Sequence, residues 1–447
     1  MAQRSNAGRR VRNGRSQGIT ALTVRGFKSL WDETHIEVRP LTILAGANSS
    51  GKSSVMQPLL MLKQTLDAVY DPGPLLLDGP NVRFTSAKQM FARRPGTKPA
   101  SEFRVGVEVG HAEEVTNRYR KPERGRFDLI ETSYKSPTGE QVFRLGADMA
   151  ELEAQFRSAL PSDWMQLFGR TEFQFQVQRD RGFLTLAIAG TDRQRRFFTR
   201  PLSVPEHFER LVAQVIHVPG LRGNPERTYK TTSYGDVFQG TFENYVASII
   251  YRWQTQDDAR EKLLGATLQS LGLTWKVHAK QVDDTRVEIQ VGRLPHGTQG
   301  GAHDTVSIAD AGFGLSQTLP VVVALLAAQP GQLVYLEQPE IHLHPRAQLT
   351  MAKVLADAAK RGVRVVAETH SSLLLLGVQA AVAEGYLEAD VVKLHWFKRD
   401  DAGATHIASA DLDSAGTFGE WPEDFGAIEL EAESRYLDLV ETRTTPT

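Results

Sequence analysis

Apolar and polar positions first alternate at strand period where Leu22 and Val24 face Thr23 and Arg25, and again where Ile36 and Val38 face Glu37 and Arg39. This predicts two antiparallel strands. The run Leu41-Thr42-Ile43-Leu44-Ala45 has no charged face and predicts a strand buried on both sides of a sheet. From about Phe103 to Gly297, alternating stretches such as Phe103–Val109 and Phe183–Ile188 are broken by glycine, proline and charge, the signature of a β-rich insertion. Within it, Met149–Leu160 and Thr241–Leu271 have amphipathic helical spacing, and no apolar seam lasts the three or four heptads that a coiled-coil arm needs. After Thr305 the period becomes α/β. A helix from Ser316 to Ala328, a strand Gln332–Leu336, a helix Arg346–Lys360 and a strand Val363–Ala367 are expected, with Met351, Val354, Leu355 and Ala358 on one helix face and Gly362 as its stop. A strand Val391–Phe397 and a helix near Ala427–Val440 complete the pattern.

The expected fold is α/β, a mixed sheet with flanking helices and an antiparallel N-terminal β part. It divides into a basic tail (1–18), an N-terminal lobe (19–95), the β-rich insertion with helical segments (96–304), a C-terminal lobe (305–387) and a small C-terminal α/β unit (388–447). The tail carries Arg4, Arg9, Arg10, Arg12 and Arg15 without an acid. It reads as disordered, with a nucleic-acid arm or transit peptide as other uses of the same composition. The 447 residues carry 52 Lys+Arg against 53 Asp+Glu, so a surface that coats nucleic acid everywhere is excluded and any DNA contact is local. Absence of cysteine removes disulfides, thiolate metal sites and thiol nucleophiles, and points to a cytoplasmic setting. The longest apolar stretch, Leu319–Ala328, is too short to cross a bilayer.

Chemistry is concentrated in three places. Gly46-Ala47-Asn48-Ser49-Ser50-Gly51-Lys52-Ser53, followed by Ser54, fits the phosphate-binding pattern G-x-x-x-x-G-K-[ST] and lies between a buried strand and a helical segment, as the pattern requires. Its backbone amides and the helix start would face phosphates, Lys52 would add charge and Ser53 a hydroxyl for magnesium. Leu333-Val334-Tyr335-Leu336-Glu337-Gln338-Pro339-Glu340 is an apolar strand ending in acids, so Glu337 is expected to hold the metal. Thr369-His370-Ser371-Ser372 ends a further strand, where ligands of open α/β sheets collect, and gives His370 a place to sense a terminal phosphate.

These motifs, in the order P-loop, long insertion, glycine-rich signature, acidic strand and histidine, resemble the ABC-class ATPase heads of the SMC, RecF and OLD-nuclease group. Within it, Glu337-Gln338-Pro339-Glu340-Ile341-His342-Leu343-His344-Pro345 and Glu420-Trp421-Pro422-Glu423-Asp424-Phe425 resemble a bacterial RecF-like AAA subfamily, some relatives of which are ATPase subunits of phage-defence systems such as Septu and PARIS. The resemblance covers about 130 motif-bearing residues. It implies that Asp310–Gln317 is the signature, with Gly314 and Ser316 contacting the γ-phosphate held by a second subunit, and hence a homodimer or higher homo-oligomer. ATP and Mg2+ are the implied cofactors. One position departs: the family usually has a glutamate directly after the metal acid, where this chain has Gln338, with Glu340 two residues on. Glutamine orients water but accepts a proton poorly. Slow hydrolysis through Gln338, hydrolysis through Glu340, and an ATP-gated clamp that rarely turns over all follow from this; slow turnover is the expectation, with a non-hydrolysing scaffold as the rival. Gln89 is a candidate Q-loop residue by position.

Leu221–Arg227 resembles a recurrent arginine loop of these ATPases, which would bring Arg222 or Arg227 to nucleotide. His342-x-His344 has metal-ligand spacing, but carboxylate partners would have to come from elsewhere and the segment already has a family role beside the ATP site. Arg118–Lys121 and Arg193–Arg200 mix basic and aromatic residues and suit either a DNA backbone or solvated loops. OLD-type nucleases carry an acidic Toprim domain after the head, whereas about 75 residues follow His370. The effector, a nuclease or toxin, is therefore expected on a separate polypeptide, with DNA as the other partner.

Overall fold

The structure, a computed structural model, describes residues 18–148, 150, 152, 172–192, 195–294, 304–419 and 434–437, with side chains described for all of these except 172–174, 188–192 and 195–202. Its centre is a six-stranded mixed sheet. In spatial order the strands are Ile216–Val218, Leu333–Glu337, Arg364–Thr369, Leu41–Gly46, Val392–Arg399 and Thr405–Ala410. The first five run parallel and the last is antiparallel to its neighbour. A parallel sheet needs cover on both faces, and the period of two delivers it. Leu41, Ile43, Val334, Leu336, Val365 and Ala367 face one apolar core, where helices Val246–Thr255, Ala259–Ser270, Phe313–Ala327, Pro345–Lys360 and Ser372–Ala383 pack. Leu44, Tyr335, Val366 and Phe397 face a second core with the P-loop helix Lys52–Asp67.

The second core is closed by an antiparallel sheet in which Thr34–Glu37, Ile19–Arg25, Glu102–Val109, Glu113–Arg120, Asp128–Ser136 and Gly139–Arg144 are neighbours in that order. Strand pairing thus runs across the expected division at 95/96. It also carries Ile216–Val218 from the insertion, and both strands of the C-terminal unit, into the central sheet. Periodicity reports which face of a strand is wet, but it does not report which sheet supplies the hydrogen-bond partners. The remaining strands form a three-stranded sheet over 172–202 and a small sheet of Tyr229–Lys230, Val277–Asp283, Arg286–Gly292 and Thr305–Ser307.

Element positions elsewhere differ by a few residues from the hydrophobic pattern. The helix expected from Ser316 begins at Phe313, with Gly312 as its N-cap. The expected helices at Met149–Leu160 and Ala427–Val440, the basic tail before Gly18, and Glu420–Phe425 lie outside the described residues, apart from isolated positions. Gly362, with φ 87°, follows the helix Pro345–Lys360 as anticipated.

Two buried polar side chains lock the P-loop helix into this frame. The Lys63 ammonium, fully buried, donates to Asp67 (2.9 Å) and to the carbonyls of Ala213 (2.9 Å) and Phe238 (2.8 Å), so the insertion is tied to the helix through its backbone. Gln64 donates to the carbonyls of Leu76 and Val82 and accepts from the amides of Asn81 and Val82, tying both arms of this loop to the helix.

On the strand beside the P-loop strand, His395 is 1% exposed and shares hydrogen bonds with Ser409 Oγ (2.7 Å) and the Glu37 carbonyl (2.8 Å). Burial, reinforced by the Lys393 charge and opposed by the Glu37 carbonyl, pushes it from 6.5 down to about 4. The histidine is neutral in the fold and protonates more readily when unfolded, so its contribution is present above pH 6.5 and is lost as the pH falls towards 4. We expect about 3 kcal/mol of stability to disappear across that window. Urea titrations at pH 7 and pH 4.5 should show the loss, and a His395→Gln variant should show a smaller one.

Candidate nucleotide site

The P-loop leaves its strand at Gly46, whose φ of 143° is open to glycine and where a Cβ would run into the Phe397 carbonyl. It closes at Gly51, φ 104°, which caps the helix beginning at Lys52. Thr405, far along the chain, secures the turn: its hydroxyl lies 2.7 Å from both the Ser50 carbonyl and Ser29 Oγ. Lys52 is 3% exposed and donates to the carbonyls of Gly46 (2.9 Å) and Ala47 (2.8 Å). Burial lowers its pKa, with Glu368 and Glu340 pulling the other way.

A cleft of about 680 Å3 opens over this loop, within the ~300–1,000 Å3 usual for small-molecule sites. The residues expected at the phosphates, Asn48 to Ser54, line it, and so do Gln338 and His370. Gly46 and Ala47 lie beneath, as carbonyl acceptors for Lys52. The His370 ring meets the Gly46 carbonyl, and burial followed by the Lys52 charge lowers its pKa, which favours the neutral imidazole.

Gln338 stands in the left-handed region, φ 47°, a conformation that costs a non-glycine residue on the order of 1 kcal/mol. Three contacts hold it there: its amide donates to the Glu368 carbonyl (2.8 Å), its carbonyl accepts from Ile341 (3.2 Å) and from Arg222 (3.1 Å). Arg222 is 6% exposed and also donates to the carbonyls of Glu337 (2.6 Å) and Gln317 (3.0 Å), linking the helix Phe313–Ala327 to the acidic turn. Gln317 returns the contact through the Arg222 and Gly223 carbonyls. Burial lowers Arg222 to about 10, so it stays charged at neutral pH.

The three carboxylates of the acidic motifs take different places. Glu340 is buried; its Oε1 accepts the Thr369 hydroxyl (2.7 Å) and the His370 amide (3.1 Å), and it does not line the cleft. Glu337 is bound by His217 Nε2 at Oε1 (3.1 Å) and by the Gly220 amide at Oε2 (3.0 Å) and does not line it either. Burial alone would raise the Glu337 pKa, but His217, that amide and Arg222 outweigh it and hold it low. Glu368, one residue beyond the expected strand Val363–Ala367 and given no role from the sequence, does line the cleft. It lies 2.9 and 3.1 Å from Ser53 Oγ and accepts from Tyr335 Oη at 2.8 Å. Burial raises its pKa, against the hydrogen bonds from Tyr335 and Ser53. Its signal in the sequence was an acid directly before Thr369-His370.

Residues 41–376 match the family described as "AAA domain, putative AbiEii toxin, Type IV TA system". The chain belongs to this family. A search of curated proteins returns no match for this AAA domain. Among solved structures, it is similar to an SMC head bound to the C-winged helix domain of ScpA, at 14% identity over 89% of this chain and 99% of that one, TM-score 0.48. It is also similar to an SMC head with extended coiled coil bound to the C-terminal domain of ScpA from Pyrococcus furiosus (12%, 95% and 99%, TM-score 0.43), and to the Thermotoga maritima SMC head (12%, 88% and 98%, TM-score 0.37).

Other candidate residues of the AAA domain lie apart from the cleft or are otherwise engaged. Ser316 is not at the helix start but one turn in, with its hydroxyl donated to the Phe313 carbonyl (3.1 Å); Gly314 packs on the His342 backbone. Neither lines the P-loop cleft of its own chain. Gln89 does, yet its Oε1 serves the amides of Thr85 and Ser86. Arg227 pairs with Asp310 at 2.7 Å on the surface, and His344 caps the helix Pro345–Lys360. Tyr119 is buried in an aromatic stack with Phe103, and Arg118 and Arg120 are paired with Glu131 and Glu102, so this cluster cannot stack bases as written. The side chains of Arg193–Arg200 lie outside the described residues. No group of three or more metal-ligating side chains occurs among the described residues, and no described helix is long and apolar enough to cross a membrane.

The donor set suits Mg2+. Ser53 and Glu368 are hard oxygen donors side by side at the cleft wall, and Mg2+ is commonly held by one or two carboxylates with substrate phosphates and water completing its shell.

Proposed function

We propose that this AAA domain binds ATP with Mg2+ in the P-loop cleft, hydrolyses it slowly, and uses two composite sites in a homodimer to signal nucleotide state to a separate effector or to DNA. The observation that carries the reading is the convergence of Lys52, Ser53, Gln338 and His370, from three separate motifs, on one cleft. Lys52 would leave its two loop carbonyls for the phosphates, joined by the amides from Asn48 to Ser54. Ser53 and a strand-end carboxylate would hold Mg2+, which when bound would supply charge neutralisation to the phosphates. Gln338, held rigid by Arg222, would orient the attacking water; Glu340 would act through His370, whose amide it fixes, and His370 would meet the γ-phosphate. The signature Gly314 and Ser316 would complete the partner's site. The family's description and the resemblance to phage-defence ATPases support a defence setting with a nuclease or toxin as effector.

Steady-state turnover tests this. Wild type should release phosphate slowly, only with a divalent cation, and EDTA should stop it. Gln338→Glu, which puts a proton acceptor at the water position, should accelerate turnover by about 100-fold. A wild type that binds ATP without turnover, while Gln338→Glu hydrolyses it, would favour the non-hydrolysing scaffold. No acceleration in Gln338→Glu would remove Gln338 from the water's position. Duplex DNA in the same assay separates the two outputs, since a DNA-handling machine should be stimulated with a strong salt dependence.

A further inference from the structure

We infer that Glu368, rather than Glu337, supplies the carboxylate that binds the hydrated divalent cation beside Ser53. This deepens the ATPase reading above and rests on it. Glu337 and Glu368 are register partners at the ends of adjacent parallel strands, so their side chains leave the same face of the sheet at the same height. From the sequence, Glu337 takes the metal role, because it ends an apolar strand in a chain that also carries a P-loop. The tertiary contacts assign the two side chains differently.

Both oxygens of Glu337 already have donors, His217 Nε2 and the Gly220 amide. His217 is not free to give way. It is 2% exposed, its ring stacks on Tyr335 at 5.4 Å, and its other nitrogen meets Asn81 Oδ1 at 3.1 Å. Glu337 is thereby turned towards the strand Ile216–Val218, on the side of its own strand away from the P-loop.

Glu368 sits on the strand that pairs directly with the P-loop strand, and its Cα partner strand delivers Ser53 to it. Ser53 has one proton and two lone pairs. With the proton given to Glu368, the lone pairs face outward, which is the arrangement a hydroxyl needs to ligate a cation while its carboxylate neighbour supplies the negative charge. Tyr335 Oη holds Glu368 from behind at 2.8 Å. A buried tyrosine in the middle of the acidic strand is otherwise a poor choice for a core position, because its hydroxyl needs a partner there. The Tyr335–Glu368–Ser53 chain gives it one.

The test uses the full chain as wild type, Glu368→Gln and Glu337→Gln, with a fluorescent ATP analogue titrated in Mg2+ and in EDTA, and with Mn2+ replacing Mg2+ for electron paramagnetic resonance of the bound ion. Wild type should bind nucleotide more tightly with Mg2+. Glu368→Gln should keep the affinity measured in EDTA but lose the Mg2+ gain, with Mn2+ held about 10- to 100-fold more weakly in the nucleotide complex. Glu337→Gln should retain the gain and the Mn2+ signal. The inference is overturned if Glu337→Gln loses the gain and Glu368→Gln keeps it, or if both lose it equally. Failure of wild type to bind nucleotide in either buffer would overturn the ATPase reading together with it. Should Glu368→Gln not fold, as judged by its thermal transition, Glu368→Asp takes its place: a shortened carboxylate should weaken Mn2+ while leaving binding in EDTA intact, and unchanged Mn2+ affinity would count against the inference.

Discussion

Lys52→Ala is expected to abolish the stabilisation that ATP gives to this protein and to cut turnover by at least about 100-fold, the scale of losing one charged contact to the transferred phosphoryl group. The reason is local. Lys52 is the one cation of the loop, and in the structure its ammonium is held at the loop's mouth by the Gly46 and Ala47 carbonyls, ready to exchange them for phosphate oxygens. Without nucleotide, the variant should melt within about 1 kcal/mol of wild type, since loss of two hydrogen bonds is offset by removal of a buried charge that already depresses the lysine pKa. Saturating ATP at about 100 times Kd stabilises a folded protein by about 2.7 kcal/mol, and this shift should vanish in the variant. Thermal melts with and without ATP check both halves. A variant that still shifts with ATP would show that nucleotide does not use this loop.

Arg222→Ala should destabilise the protein by about 3 kcal/mol and also lower turnover. The guanidinium is buried and serves three carbonyls, Gln317, Glu337 and Gln338, each of which loses this donor in the variant. It also holds Gln338 in its left-handed conformation, so truncation should let that residue relax and leave the cleft wall. Arg222→Lys should not rescue either effect, because an ammonium cannot span the fork of acceptors. Urea midpoints and ATP turnover measured on both variants decide it; unchanged turnover would separate the strut from catalysis. Arg222 does not line the cleft but holds its wall from behind, and those two measurements test it as a positioning residue.

How much of this could be read from the chain differs from element to element. The strand Leu41–Gly46 was legible because the run Leu41–Ala45 has no charged face, as a doubly covered strand requires, and all six of its positions are buried. The P-loop was legible because glycines at Gly46 and Gly51, a lysine and a serine at fixed spacing are a local device whose geometry is set within eight residues. The helix Pro345–Lys360 was legible from its one apolar face and the glycine stop. The strands Val392–Arg399 and Thr405–Ala410 were expected in a separate C-terminal unit; the fold uses them to extend the central sheet and, through Thr405, to clamp the P-loop turn. That contact spans 355 residues of sequence, and no local pattern encodes it.

By itself, then, the sequence determined the alternation that makes the two-faced sheet, the phosphate loop and the order of the motifs, because each depends on residues close together in the chain. Tertiary structure alone decided which acid stands beside Ser53. Glu337 and Glu368 both end apolar strands. What distinguishes them is that Glu368 lies on the P-loop strand's immediate neighbour, while Glu337 lies one strand further out and meets His217 first. Strand order is fixed by long-range packing, so only the folded chain could place those two side chains.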